Sequence, residues 1–141
     1  MAERVKSLSE KRKLLLQIDL FAHLDPKEAD SVLAHMREQR VRKNTVVFHQ
    51  FDETGGMYLI LDGSIKISRV GRDGREVTIS VLGKGNFFGE MSLLDGQPRS
   101  ATASATAATR LLVLERENFQ SNILPLTGIV AKMLIELSKR L

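Results

Sequence analysis

The chain has no cysteine, no tryptophan, one tyrosine and three prolines among its 141 residues. The absence of cysteine excludes disulfides, thiolate metal sites and a cysteine nucleophile, and it fits a cytoplasmic protein. No apolar run approaches the length of a membrane span, so no membrane partner is expected. The first residues, MAERVKSLSEKRK, are charged and lack the apolar segment of a signal peptide.

Catalytic patterns are also missing. His23, His35 and His49 are far apart, and none belongs to a His-x-His pattern of the kind that a metal-binding jelly-roll enzyme needs. The serines lack the nucleophile elbow of a hydrolase. The sequence therefore predicts no catalytic residue, no metal and no catalytic cofactor, and an enzyme is the weakest of the functional classes.

What is present is a globular composition with a basic excess. Hydrophobic residues make up 43%, and the length suits one domain with its own core. The net charge is +4, which can attract an anionic partner but is also typical of a solvated basic face. The aromatic residues are not interleaved with the basic ones, so no stacking platform for single-stranded nucleic acid is expected. The basic residues gather at Arg4, Lys6, Lys11, Arg12 and Lys13 and at Arg37, Arg40, Arg42 and Lys43.

The pattern along the chain divides into three zones. Helices are expected over about 9–40, including one that starts at Asp25 with Pro26 at its first position and Glu28 to complete a capping box. Short alternating strands follow over about 41–114, with a tight hairpin at Asp62-Gly63 and a second turn at GRDGRE. Helices return over about 115–141. We predict one α+β domain, an antiparallel jelly roll flanked by N-terminal and C-terminal helices.

The last helix is apolar on a wide face, with Leu126, Val130, Met133, Leu137 and Leu141 at helical spacing. Ile129, Leu134 and Ile135 widen that face. Such a helix must bury itself against its own domain or a second copy. We expect a homodimer formed through this helix.

The stretch FGEMSLLDGQPRSATASA, residues 88–105, contains one acid, Glu90, and one arginine, Arg99, among small and apolar residues. Gly89 can open a short helix whose free N–H groups attract an anion. Arg99 can hold a phosphate through two hydrogen bonds, while Glu90 can accept hydrogen bonds from sugar hydroxyls. A sugar phosphate fits such a socket. The alternative is that Glu90 and Arg99 pair with each other and close a loop, although a salt bridge alone is a weak reason to bury them.

This stretch resembles the phosphate-binding cassette of the cyclic nucleotide-binding domain family, which includes the effector domains of catabolite activator protein-like regulators. The resemblance rests on Gly89-Glu90-Met91-Ser92-Leu93 and Pro98-Arg99-Ser100-Ala101, and the order helix, jelly roll, helix agrees with it. Members that sense other signals usually lack the acid and arginine that this chain keeps.

The resemblance implies a role for each residue of the cassette. Glu90 would bind the ribose 2′-hydroxyl and Arg99 the cyclic phosphate. Backbone N–H groups near Gly89, Met91, Ser92 and Ala101 would line the pocket, and Ser100 would add its hydroxyl. The ligand would be cyclic AMP or cyclic GMP, with cyclic AMP favoured, although the hydroxyl of Ser100 leaves the choice of base open.

The resemblance implies a regulatory sensor domain with an output in signalling or transcription regulation. Regulators of this family continue into a DNA-binding domain, whereas this sequence stops at Leu141, so DNA would be reached only through a domain absent from it. A stand-alone module and a piece of a larger protein both stay open, as does an interaction scaffold with an empty or non-nucleotide pocket. One departure precedes the Met57 strand, where Phe51 occupies a place at which the family often has glycine.

Overall fold

The structure is a computed structural model that describes residues 7–139. Five α-helices and eight strands follow one another in it, and the helices and strands occur in the predicted order. The predictions for Arg4, Lys6 and Leu141 lie outside the described residues. The helices are α1 Leu8–Leu16, α2 Pro26–Ala34, α3 Glu90–Asp95, α4 Arg116–Asn118 and α5 Thr127–Ser138. The strands are β1 Arg37–Val41, β2 Val46–Phe48, β3 Gly56–Asp62, β4 Ser64–Val70, β5 Glu76–Gly83, β6 Phe87–Phe88, β7 Thr102–Ala105 and β8 Thr109–Glu115.

The strands form two antiparallel four-stranded sheets, as the predicted jelly roll requires. The first sheet has the order β1-β8-β3-β6 and the second β2-β7-β4-β5. Strand β8 explains why the core has two parts, because its central residues are buried on both faces. Leu112 and Leu114 belong to the cluster shared with the helices, whereas Leu111 and Val113 belong to the cluster between the sheets.

The capping box predicted at Asp25 is confirmed. The Asp25 carboxylate accepts from the Glu28 N–H at 2.8 Å, and the Glu28 carboxylate accepts from the Asp25 N–H at 3.0 Å. The turn at GRDGRE is also confirmed, since it joins β4 and β5, which pair along their length. The first strand begins at Arg37, earlier than the boundary near residue 41, because that segment pairs with β8.

The hairpin predicted at Asp62-Gly63 is wrong. β3 pairs with β6 and β8, while β4 pairs with β5 and β7, so the chain passes from one sheet to the other at this point. A two-residue type I′ hairpin needs positive φ at both central residues, but only Gly63 has it, at 110°. The corner is fixed instead by Thr109, whose Oγ1 accepts from the Ser64 N–H at 3.1 Å. A Cβ on Gly63 would lie 2.6 Å from the Thr109 Cα.

The C-terminal helices pack on the N-terminal helices and on the cassette helix α3. After α4 the chain makes a short π-helix, Phe119–Ile123, and Pro125 separates it from α5. Met133 of α5 is buried in the same cluster as Leu93 of α3. Leu134 and Ile135 of α5 remain more than half exposed, at 59% and 55%. Among residues 7–139 we find no helix with the length and apolarity needed to cross a membrane.

Candidate functional site

One cavity of about 330 Å³ brings together all the residues that the sequence singles out. Helix α3 and the loop before β7 contribute its polar residues, and β2, β4 and β6 contribute apolar ones. Whether these residues bind a ligand stays a prediction. The predicted members of the lining are Gly89, Glu90, Met91, Ser92, Arg99, Ser100 and Ala101, and the others are Phe48, Ile67, Phe87, Phe88, Asp95, Gln97 and Pro98.

Gly89 opens α3 in a conformation that suits only glycine. Its φ is 81°, in the left-handed region. A Cβ at this position would lie 2.7 Å from the Arg99 Nη1 and 2.8 Å from the Gly56 carbonyl oxygen. No side chain caps this end of α3, so the N–H groups of its first turn are available to a ligand at the cavity. The predicted short helix at this place is confirmed.

Arg99 is buried, with 4% of its surface exposed. Its Nη1 donates to the carbonyls of Gly56 at 3.0 Å and Gly89 at 3.2 Å. Its Nε and Nη2 are also buried and have no hydrogen-bond partner among the described residues. Burial lowers the pKa of Arg99, yet an arginine stays charged at neutral pH. The site therefore holds a cation whose Nε and Nη2 have no partner among the described residues and could donate to two oxygen atoms of an anion.

The backbone of Arg99 is held by the loop that precedes β3. The Arg99 N–H donates to the Asp52 carbonyl at 2.8 Å, and the Arg99 carbonyl accepts from the Phe51 N–H at 2.7 Å. Phe51 has a φ of 77° and is 73% exposed. The departure seen in the sequence is thus a phenylalanine in a left-handed conformation that glycine would adopt without strain.

Glu90 lies half-buried on the same cavity, and its side chain makes no hydrogen bond or ion pair within residues 7–139. In particular it does not pair with Arg99, so the alternative in which the two close a loop is wrong. An acceptor and a cation instead line one cavity without contact between them. This arrangement suits a ligand that carries hydroxyls at one end and a negative charge at the other.

The two serines of the cassette differ in their contacts. Ser92 is buried, and its hydroxyl donates to the carbonyls of Gln97 at 3.2 Å and Thr54 at 3.4 Å. That hydroxyl therefore ties the loop to the segment before β3, and only its backbone N–H is left for a ligand. Ser100 is exposed on the cavity, and its carbonyl accepts from the Arg69 Nε at 3.1 Å.

Three aromatic rings near Arg99 escape sequence-based prediction as site residues. The Arg99 Cζ lies 4.0 Å from the centre of the Phe48 ring and 5.9 Å from that of Tyr58. Tyr58 in turn stacks on Phe88 with centroids 5.0 Å apart, and burial raises the pKa of the Tyr58 phenol. In the sequence these rings look like core residues, and no local signal links any of them to an arginine elsewhere in the chain.

Two of the three histidines take part in surface pairs. His23 pairs with Glu136, and the His49 Nδ1 is 3.8 Å from the Asp52 carboxylate. Within the part of the chain that the structure describes, no group of three or more histidine, aspartate or glutamate residues is placed to hold a metal ion.

Comparison with known proteins identifies the family. Residues 38–123, more than half of the chain, match the model of the cyclic nucleotide-binding domain. The chain belongs to that family.

The similar proteins include regulators of more than one kind. The chain is 36% identical to the cyclic AMP receptor protein of Thermus thermophilus over 86% of its own length and 56% of that protein's. It thus spans just over half the length of the first curated relatives that it matches. Among solved structures, the N-terminal domain of a transcriptional regulator from Streptomyces coelicolor has a TM-score of 0.84 at 30% identity, covering 90% of this chain and 91% of that one. The regulatory domain of Toxoplasma gondii PKA with cAMP has a TM-score of 0.77 at 29% identity, covering 86% and 47%.

Proposed function

We propose that the domain binds cyclic AMP in this cavity and acts as a regulatory sensor without catalytic activity. The cyclic phosphate accepts from the Nε and Nη2 of Arg99, and the ribose 2′-hydroxyl donates to Glu90. N–H groups near Gly89, Met91, Ser92 and Ala101 complete the pocket, together with the Ser100 hydroxyl. The observation that carries the proposal is the open edge of a buried arginine on the same cavity as an unpaired glutamate.

The charge of the site supports a cyclic phosphodiester. Such a ligand has one negative charge and a free 2′-hydroxyl, and the cavity offers one buried cation and one free carboxylate acceptor. A buried cation without a partner is costly. An anion beside the Nε and Nη2 of Arg99 would offset that cost, so neutralising the buried charge would contribute to the binding free energy of the ligand.

The packing of α3 suggests how binding would reach the rest of the domain. Leu93 of α3 is buried with Phe119 and Met133 of the C-terminal segment. A ligand held by the first turn of α3 would therefore act on a helix that touches those elements. It would shift their equilibrium only by its difference in affinity between the two arrangements.

The output and the assembly belong to the same proposal. We infer a cytoplasmic homodimer that uses the exposed apolar residues Leu134 and Ile135 of α5, and an output in transcription regulation or another signalling pathway. The relatives described as a cyclic AMP receptor protein and as a transcriptional regulator support this direction.

Calorimetric titration of the protein with cyclic AMP and cyclic GMP tests the proposal. We expect saturable heat with cyclic AMP and weaker binding of cyclic GMP. Arg99→Ala should abolish binding, while Arg72→Ala in the exposed β4–β5 turn serves as the matched control and should bind like the wild type. Absence of heat with both nucleotides at millimolar concentration would refute the proposal and favour an interaction scaffold.

A further inference from the structure

The buried guanidinium of Arg99 forms no ion pair with a carboxylate among residues 7–139, and the Asp52 carboxylate acts on it only through space. Its hydrogen bonds run from Nη1 to two backbone carbonyls, and Glu90 makes no contact with it. Another group must therefore stabilise the charge of Arg99 before a ligand binds. The Phe48 ring is the nearest candidate, because the Arg99 Cζ lies 4.0 Å from its centre, well within the distance of a cation–π interaction.

The position of the Phe48 ring is well determined by its neighbours. Phe48 is 6% exposed, and its ring centre lies 5.8 Å from that of Tyr58 and 5.9 Å from that of Phe88. Across the sheet its partner on β7 is the small residue Ala103. A ring held on these sides offers a fixed face on which the guanidinium can rest.

An aromatic face and a carboxylate would offset the charge of Arg99 from different directions. A carboxylate accepts in the plane of the guanidinium, through the N–H donors that an anionic ligand also needs. An aromatic ring attracts the cation from above that plane and uses no N–H. Only the second arrangement leaves the Nε and Nη2 edge open while the charge is stabilised.

We propose that Phe48 is a positioning residue for anion recognition: its ring takes the place of a counter-ion and holds the open edge of Arg99 toward the cavity before the ligand arrives. This inference rests on the proposed function, because the ligand is a cyclic nucleotide phosphate. When the ring is removed, the guanidinium occupies its binding arrangement for a smaller fraction of the time, and the apparent affinity falls in proportion.

A double-mutant cycle on cyclic AMP binding tests the proposal. Phe48→Leu keeps most of the apolar volume and removes the aromatic face, and we expect the Kd to rise about 5- to 30-fold. In the Arg99→Gln background there is no cation to rest on the ring, so the same change should alter the much weaker Kd by less than about 2-fold. Phe48→Tyr keeps the face and should bind within about 2-fold of the wild type.

Phe21→Leu is the matched control, since Phe21 is a buried ring that does not line the cavity and has no ring contact with Arg99 in the described residues. It should leave the Kd within about 2-fold. An equal loss from Phe48→Leu in the Arg99 wild-type and Arg99→Gln backgrounds would assign Phe48 a merely structural role and overturn the proposal. Failure of the wild type to bind cyclic AMP would overturn the proposed function as well, so the two failures are distinguishable.

A measurement without any variant keeps the proposal testable if Phe48→Leu does not fold. In NMR spectra of the ligand-free wild type, the Arg99 Nε–H should show a nuclear Overhauser effect to the Phe48 ring and an upfield ring-current shift. An Nε–H resonance at its solvent-exposed position, without that effect, would overturn the proposal.

Discussion

Two arginines of the domain differ in how they relate to a nearby glutamate, since one forms an ion pair with it and the other does not. Arg110 on β8 donates to the Glu38 carboxylate from Nη2 at 2.7 Å and from Nε at 3.0 Å, and its Nη1 is 3.5 Å from Asp62. Arg99 and Glu90 share a cavity and do not touch. The first pair joins two strands of a sheet, whereas the second leaves the Nε and Nη2 of the arginine and the carboxylate of the glutamate without a partner among the described residues.

The difference separates a structural ion pair from the proposed binding site. Arg110 and Glu38 satisfy each other within the protein, so neither has anything further to gain from a ligand. Arg99 and Glu90 each lack a partner that a ligand can supply. The same two residue types thus acquire different roles through contact or its absence, and the sequence alone does not distinguish them.

The largest effect is expected from Arg99→Met. Cyclic AMP affinity should fall at least about 100-fold, because the charged, two-pronged contact to the phosphate is lost. The free energy of unfolding should stay level or rise by about 1–2 kcal/mol, since a buried cation without an acidic partner is replaced by an apolar chain. Calorimetry and urea unfolding measure the two quantities. If Arg99→Met bound cyclic AMP within about 3-fold of the wild type, Arg99 would not differ from Arg110 in its role.

Arg110→Met should give the reverse result. The Glu38 carboxylate, whose side chain is 20% exposed, loses its partner, and the free energy of unfolding should fall by about 1–3 kcal/mol. Cyclic AMP affinity should remain within about 2-fold. The same urea and calorimetric measurements apply, and a loss of affinity comparable with that of Arg99→Met would contradict the separation of roles.

Glu90→Gln tests whether the Glu90 carboxylate, unlike that of Glu38, is needed for binding. The neutral amide is a weaker acceptor for the ribose hydroxyl than a carboxylate, so affinity for cyclic AMP should fall about 10-fold. The variant should lose less than the wild type when the ligand is changed to 2′-deoxy cyclic AMP. Glu38→Gln is the matched control and should retain the affinity of the wild type. If Glu90→Gln lowers the affinity for cyclic AMP and for 2′-deoxy cyclic AMP by the same factor, Glu90 does not bind the ribose 2′-hydroxyl.

Phe51→Gly tests the loop that holds the Arg99 backbone. Glycine adopts the left-handed conformation without strain, and the gain is partly offset by the greater freedom of glycine in the unfolded chain. We expect the free energy of unfolding to rise by about 1 kcal/mol, whereas Phe51→Ala keeps the strain and should give no such gain. Thermal and urea unfolding report the change, and a fall on substitution by glycine would show that the ring itself stabilises the loop.

The smallest expected change in the free energy of unfolding concerns two ion pairs of α5, one with Glu28 of α2 and one near its own C-terminal end. A hydrogen bond from Lys132 is the main cause that lowers the pKa of Glu28 below 4.5, and one from Lys139 does the same for Glu136. Stabilisation from a lowered pKa is present above about pH 4.5 and is lost as the pH falls through the value in the folded protein. Urea unfolding should therefore show a decrease in acid that Glu28→Gln reduces. An unchanged pH dependence in that variant would contradict the assignment.

The parts of the fold set by neighbouring residues could be predicted from the sequence. The capping box at Asp25, the turn after β4 and the start of α3 at Gly89 each depend on a few adjacent side chains. The cassette could be located because its acid, arginine and glycines lie within one short stretch.

The parts set by distant residues could not be predicted. Asp62-Gly63 has the composition of a hairpin, but the pairing of β3 with β8 and the contact of Gly63 with Thr109 make it a corner between sheets. The Arg99 guanidinium lies over the Phe48 ring, although no sequence pattern connects the two positions. Local propensity carries no information on which strand will lie opposite or which ring will lie beneath a charge.

The strand order also governs when the cavity can exist during folding. The hydrogen bond between Arg110 and Glu38 spans 72 positions, and that between Arg99 and the Gly56 carbonyl spans 43. Such long-range pairing is slow, typically milliseconds to seconds for all-β topologies. On the ribosome, the first sheet must wait for β8, which lies between β1 and β3. We therefore expect the proposed nucleotide to act on the finished domain and to stabilise it by mass action.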